Sequence, residues 1–219
     1  MRKTFDAELL ELNAGLMDMS AAAEDAIDVV TASFSDGDRQ RALSAIEATR
    51  SMDRMERDIE DHCLRLLLRQ QPGARDLRTI SAALKMVTDL RRIGDQCANI
   101  AEISLLLQQK QQGETLEDIC TMSRKAAVMV KGAISAYVER DAEAARGVIA
   151  QDDEVDALFA QVKGELAGRI AAQSGAGDRA IDLAIIAKYL ERIADHGVNI
   201  ARWAIFCVTG ELVPEDPAE

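Results

Sequence analysis

Apolar residues recur along this chain at alternating spacings of three and four. From Phe5 onward, Leu9, Leu12, Leu16, Met19, Ala23, Ile27, Val30 and Phe34 trace a single stripe, the seam of a bundle-forming helix. Asp36-Gly37-Asp38 reads as a turn followed by an N-cap, and a second helix is expected to run to about Gln71, where Pro72-Gly73 stops it. A third runs from Asp76 to about Gln111. After Gly113 the pattern resumes with a fourth helix to Arg140, a fifth from Asp141 to about Gln173 and a sixth from Asp178 to Thr209. Ser174-Gly175-Ala176-Gly177 separates the last two. Helices of roughly 30 residues are about 45 Å long. The fold class predicted is therefore all-α, with six long helices grouped as two elongated three-helix bundles.

The two groups are copies of one another. Leu90-Arg91-Arg92-Ile93-Gly94-Asp95-Gln96-Cys97-Ala98-Asn99-Ile100-Ala101 aligns with Leu190-Glu191-Arg192-Ile193-Ala194-Asp195-His196-Gly197-Val198-Asn199-Ile200-Ala201, sharing Leu, Arg, Ile, Asp, Asn, Ile and Ala. Self-similarity at so long a period marks a duplicated structural unit. Asp38 corresponds to Asp141 and Met52 to Val155, 103 positions apart, whereas the dodecamers are 100 apart. The second copy is thus three residues shorter at the turn before its last helix. Residues 1–112 and 113–211 are expected to form the two units, and 212–219 a disordered tail.

Composition narrows the function. Hydrophobic residues make up 48% of the 219, enough for a core, whereas aromatics are only 3% and just three prolines occur. A formal charge of −12 lacks the basic face that nucleic acid requires. Cys63, Cys97, Cys120 and Cys207 form no CxxC pair, and three of them sit among apolar helical residues, so free thiols in a reducing cytoplasm are expected. No signal peptide and no run of about 18 apolar residues is found, so no membrane span is predicted.

The candidate chemistry lies in carboxylates. Glu191, Asp195 and Asn199 are spaced i, i+4, i+8, forming one oxygen stripe beside the apolar seam of the sixth helix. Asp152 lies in the seam of the fifth, with Asp156 one turn on. Two acidic pairs on neighbouring helices repel unless a cation offsets them, and their hard oxygens suit magnesium, calcium, manganese or iron. Lys188 and Arg192 are the internal alternative. In the first copy the matching residues are Thr49 and Asp53, then Arg91 and Asp95, followed by Asn99. Each pair has lost its first member, and Arg91 puts a permanent cation among the rest, available to Asp95 or Asp53. One metal-competent site is expected in the second copy and a metal-poor one in the first, where Asp89 with Glu56 and Asp53 offers a weaker set.

The two copies of L-x-R-I-x-D-x-x-x-N-I-A, together with Cys63-Leu64-Arg65-Leu66-Leu67-Leu68-Arg69-Gln70-Gln71-Pro72 and Asp76-Leu77-Arg78, resemble the PhoU family of phosphate-specific transport system accessory proteins. The opening Met1-Arg2-Lys3-Thr4-Phe5-Asp6 and the closing Val208-Thr209-Gly210-Glu211 are similar to that family's ends. The resemblance implies a non-enzymatic negative regulator of the phosphate-starvation response, linking a phosphate-importing ABC transporter at the inner membrane to a sensor histidine kinase, and homodimeric. It implies that E(D)xxxD motifs hold multinuclear clusters of iron or zinc. Carried over by position, the ligands are Asp152, Asp156, Glu191 and Asp195 with Asn199 beside them, and in the first copy Asp53 and Asp95, with Asn99 in the corresponding place.

Rival chemistry lacks residues. A di-iron oxidase draws histidine from Glu-x-x-His, but Ile59 and Ile193 stand three before His62 and His196. His196 has Gln96 as its counterpart and reads as a partly exposed histidine without a catalytic role. No glycine-rich phosphate loop, nucleophile motif or paired Cys/His site is present. Trp203 and Phe206 read as core packing. A metal-free helical adaptor remains the alternative to the metal-binding regulator.

Overall fold

The computed structural model describes residues 2–69, 72–107, 114–172 and 177–214. The chain is all-α, with no strand among the described residues: α1 (Arg2–Asp36), α2 (Arg39–Arg69), α3 (Ala74–Ser104), α4 (Glu114–Glu139), α5 (Ala142–Ile149), α6 (Asp152–Ala172) and α7 (Gly177–Thr209). α1, α2 and α3 pack on each other, as do α4, the α5–α6 rod and α7. The two groups join along α1 against α4 and α3 against α7. The expected boundary at 112/113, the Ser174–Ala176 break and tail residues 215–219 lie outside the described residues.

Duplication is written into the turns. Gly37 (φ 68°) and Arg140 (φ 58°) both take the left-handed conformation, and the next residue caps the following helix. Asp38 Oδ1 accepts from the N–H groups of Gln40 (2.9 Å) and Arg41 (3.2 Å). Asp141 Oδ1 accepts from those of Glu143 (3.0 Å) and Ala144 (2.9 Å). Each satisfies donors that a helix start leaves open. Glycine enters the left-handed region freely but arginine pays about 1–2 kcal/mol. Arg140 is held there in part by its side chain, whose Nη2 donates to Thr79 Oγ1 of α3 at 2.9 Å.

Two helix boundaries differ from the sequence pattern. The fifth predicted helix is interrupted at Ala150–Gln151, where Gln151 N–H turns back to Val148 O (3.0 Å) and Glu154 N–H to Gln151 O (3.2 Å). The break gives Asp152, Asp153 and Glu154 a helix N-terminus to occupy, where the helix dipole favours negative charge. α3 ends at Ser104 instead of near Gln111. Leu106 and Leu107 N–H both bond Ile103 O, and that tightened turn places Leu107 in the core.

One apolar cluster runs through both halves. Leu12, Leu16, Met19, Ile27 and Phe34 of α1 join Met52 and Leu66 of α2, Met86, Leu90 and Ile93 of α3, and Ile186, Leu190, Ile193 and Ile200 of α7. Burying each large side chain contributes about 1.5–3 kcal/mol. Polar ties cross between the halves: Tyr137 OH donates to Thr79 O (3.2 Å), Thr31 and Ser123 hydroxyls pair, and Lys131 reaches Glu24 (3.2 Å). Cys63, Cys97 and Cys207 are buried and Cys120 half-buried, all as free thiols. Burial pushes the Cys63 and Cys97 thiols up to about 12, which keeps them unreactive.

Helix spacing is set by matched pairs. A Cβ added to Gly94 would fall 2.8 Å from Met52 Sδ. The corresponding residues of the second copy are Ala194 and Val155, both buried, a larger residue on α7 against a smaller one on α6. Gly94→Ala is expected to lower stability by about 1 kcal/mol, overpacking outweighing the gain in helix propensity. Adding Met52→Val, which recreates the second-copy pair, should recover most of that loss. Urea denaturation of both singles and the double variant gives the coupling; strictly additive effects would mean the two side chains do not set the spacing.

Candidate functional site: the carboxylate clusters of the two copies

In the first copy Arg91 organises the acids. Its Nε lies 3.2 Å from Glu56 of α2 and its Nη1 2.7 Å from Asp95, one turn along α3. The guanidinium therefore ties two helices together and takes the expected Asp95 as partner, with Glu56 rather than Asp53 as the second. Burial is the main force raising the Glu56 pKa above the ordinary carboxylate range. Arg91 pulls it back, and Glu60, Asp53 and Asp95 push it further up. Asp53 and Asn99 are both half-buried.

Asp89 does not join this group. Positions 89 and 91 are about 200° apart around a helix, so a residue that shares the apolar seam with Leu90 and Ile93 cannot face α2 as Arg91 does. Asp89 is buried and its Oδ1 meets His196 Nδ1 of α7 at 3.0 Å. Thus the weaker site sketched from Asp89, Glu56 and Asp53 is not assembled, and His196 bridges the two halves. The symmetry-related residues are Tyr189 and Gln96, and Gln96 Oε1 is buried without a hydrogen-bond partner.

In the second copy the cation comes from another position. Lys188 pairs with Glu191 through Oε2, three residues along α7, and its ammonium also lies 5.2 Å from the Phe159 ring centroid. Lys163 approaches the same ring at 5.6 Å. Phe159 and Lys163 stand where the first copy has Glu56 and Glu60. Asp152 is buried at the N-terminus of α6, Asp195 half-buried and Asp156 exposed. Asn199 Oδ1 accepts from Arg202 Nη1 at 3.3 Å. Nearby, Lys125 of α4 pairs with Glu154 and lowers its pKa.

The oxygens are of the right kind for a hard cation, but they do not converge. Among the described residues no three His, Cys, Asp or Glu side chains are grouped to hold a metal. Glu191 is answered by Lys188 and Asn199 by Arg202, so an ion at these donors would first require both cations to move. Sequence spacing found which acids share a helix face; it missed the Asp152–Glu154 helix start, for which the run of three acids was the available signal. Trp203 packs on the core as expected, with Phe206 edge-to-face against it (5.6 Å, 88°), and both remain half-exposed.

The sign of the Glu56 shift sets a pH test. Ionising this carboxyl costs the folded state; the cost is absent below about 4.5, grows as pH rises through the raised value and is constant above it. Arg91→Met removes the one opposing influence, so the variant should lose stability at pH 7 and regain it on acidification over a wider range than wild type. Adding Glu56→Gln should flatten the difference. Thermal melts from pH 7 to pH 4 check this, and parallel curves for wild type and Arg91→Met would show that Arg91 does not neutralise Glu56.

Comparison with known proteins matches both copies and nearly the whole chain. The family model for the PhoU domain matches twice, at residues 16–104 and 119–204. A phosphate-specific transport system accessory protein PhoU homologue of Clostridium acetobutylicum is 33% identical over 213 residues, 97% of each chain. One from Aquifex aeolicus is 34% identical over 206 residues, 94% of this chain and 93% of that protein. The crystal structure of PhoU from Pseudomonas aeruginosa superposes with a TM-score of 0.89 at 30% identity, covering 94% of this chain and 100% of that one. The phosphate transport system regulatory protein PhoU of Streptococcus pneumoniae gives 0.88 at 26% identity, covering 96% and 100%. With its repeated unit matched in both halves and its helices superposing end to end, the chain belongs to the PhoU family.

Proposed function

We propose that this protein is a negative regulator of phosphate uptake and of the phosphate-starvation response, coupling a phosphate-importing ABC transporter to the sensor histidine kinase of a two-component system. The observation that carries the reading is similarity along almost the entire length to proteins named phosphate-specific transport system accessory protein. The architecture agrees with a contact-driven role: long helices offer extended faces, and no helix among the described residues is long and apolar enough to cross a membrane. The protein then works in the cytoplasm, reaching the inner membrane through its partners, and acts as a homodimer.

A metal is proposed for the second copy alone, iron or zinc in keeping with the family, or another hard cation. Asp152, Asp156, Glu191 and Asp195 would hold it with Asn199 beside them, supplying charge neutralisation between α6 and α7. Loading requires Lys188 to leave Glu191 and Arg202 to release Asn199. The metal-free adaptor is the second reading, and the Lys188–Glu191 pair favours it because that carboxylate is already neutralised.

Elemental analysis of protein purified without chelator or affinity tag separates the two. Metal should be present in wild type and lost from the Glu191→Ala/Asp195→Ala variant; equal content in both rejects this assignment. Deleting the gene should derepress a phosphate-starvation reporter in phosphate-replete medium. Unchanged output would remove the regulatory reading.

A further inference from the structure

A groove of about 420 Å³ lies between the C-terminal half of α6 and the N-terminal half of α7. Its apolar wall carries Ile170, Ile181 and Ile185, which are 44%, 51% and 38% exposed. Its rim carries Lys163, Lys188 and Arg192, and among the described residues no carboxylate lines it. That is unusual for a chain with 38 acidic residues against 26 basic ones. Lys163 and Lys188 share the Phe159 ring, and Arg192 lies 5.9 Å from the Tyr189 ring. Cation–π contacts thus gather like charges that would otherwise separate, and Glu191 answers only one of them.

The other copy shows that packing does not demand this. Where α7 has Ile181, Ile185 and Lys188, α3 has Ser81, Lys85 and Thr88, and where α6 has Lys163, α2 has Glu60, while Ile170 and Arg192 have Leu67 and Arg92 as counterparts. Both copies bury equivalent seams on equivalent neighbours. Ile181, Ile185, Lys163 and Lys188, which have no like counterpart in the first copy, are therefore a property of the surface and not of the fold.

We propose that this groove docks an amphipathic helix of a protein partner, whose aliphatic face enters against Ile181 and Ile185 and whose flanking aspartates or glutamates meet Lys163, Lys188 and Arg192. Helix-in-groove recognition needs this combination of an apolar trough and complementary edges. A bilayer is a poorer occupant, because screening confines the rim's field to about 8 Å while a membrane plane would also meet the surrounding acidic surface. A second copy meeting groove to groove across a two-fold axis would set the same cations against one another. The proposal does not depend on metal or on the kinase.

The test uses the full-length protein and two synthetic helical peptides with one leucine stripe, flanked by glutamate in the first and lysine in the second, read by fluorescence anisotropy. The glutamate peptide should bind at least about 10-fold more tightly. Lys163→Glu/Lys188→Glu/Arg192→Glu should invert that preference, with unchanged circular dichroism. Ile181→Ser/Ile185→Ser, which keeps the cations, should weaken the glutamate peptide by about 10-fold or more. Equal binding of both peptides, or binding indifferent to these variants, overturns the proposal. So does co-sedimentation with phosphatidylglycerol vesicles, or self-association in the ultracentrifuge, that the Ile181→Ser/Ile185→Ser variant abolishes.

Discussion

The seam where α1 meets α4 and α3 meets α7 is the contact on which the molecule depends. A helix with a single apolar stripe gains little by itself, and most of its stability comes from tertiary packing of that stripe. In this chain the central helices carry wider apolar faces, because α3 and α7 each touch both their own bundle and the other copy. Thr79 shows how closely the halves are knit. Its carbonyl accepts from Tyr137, its hydroxyl accepts from Arg140, and Cys207 Sγ lies 3.5 Å from the same oxygen. The left-handed backbone at Arg140 is thus tied to the partner unit, not to its own helix alone.

Within that shared frame the two copies balance their charges differently. The repeat fixes where a side chain emerges, since helix phase and neighbour are inherited together. It leaves its chemistry free. Glu56, Arg91 and Asp95 form a fixed ion network across α2 and α3. The equivalent surface of the second copy has an aromatic ring under two ammonium groups and the Lys188–Glu191 ion pair. Such partly exposed pairs add little to stability individually; their larger effect is on the sign of the field each bundle presents.

Much of this was legible in the sequence. Apolar spacing located every long rod, and Gly37-Asp38 marked one helix start clearly because both the turn and the cap have dedicated residue types. Its twin at Arg140-Asp141 kept the cap but replaced the glycine, with a long-range bond to Thr79 supporting the turn, and no local pattern reports a long-range bond. The break at Ala150–Gln151 was invisible to periodicity, since the stripe from Val148 to Val155 keeps seven-residue spacing across it. Asp89 was misplaced for a different reason. Its composition-level kinship with nearby acids outweighed its helix phase, which directs it toward α7 and His196. The end of α3 was set by Leu107 entering the core, a tertiary reward that the glutamine-rich run beyond it did not announce.

The Asp89–His196 bridge has a consequence for how this architecture arose. If a lone unit once paired with its twin across a two-fold axis, position 89 of each subunit faced position 96 of the other, and a change at one end appeared twice. Fusion into one polypeptide made those contacts separately mutable. One became an aspartate meeting a histidine, while the other settled as Tyr189 and Gln96. On that premise the seam keeps the outline of an ancestral dimer interface, with its symmetry relaxed residue by residue.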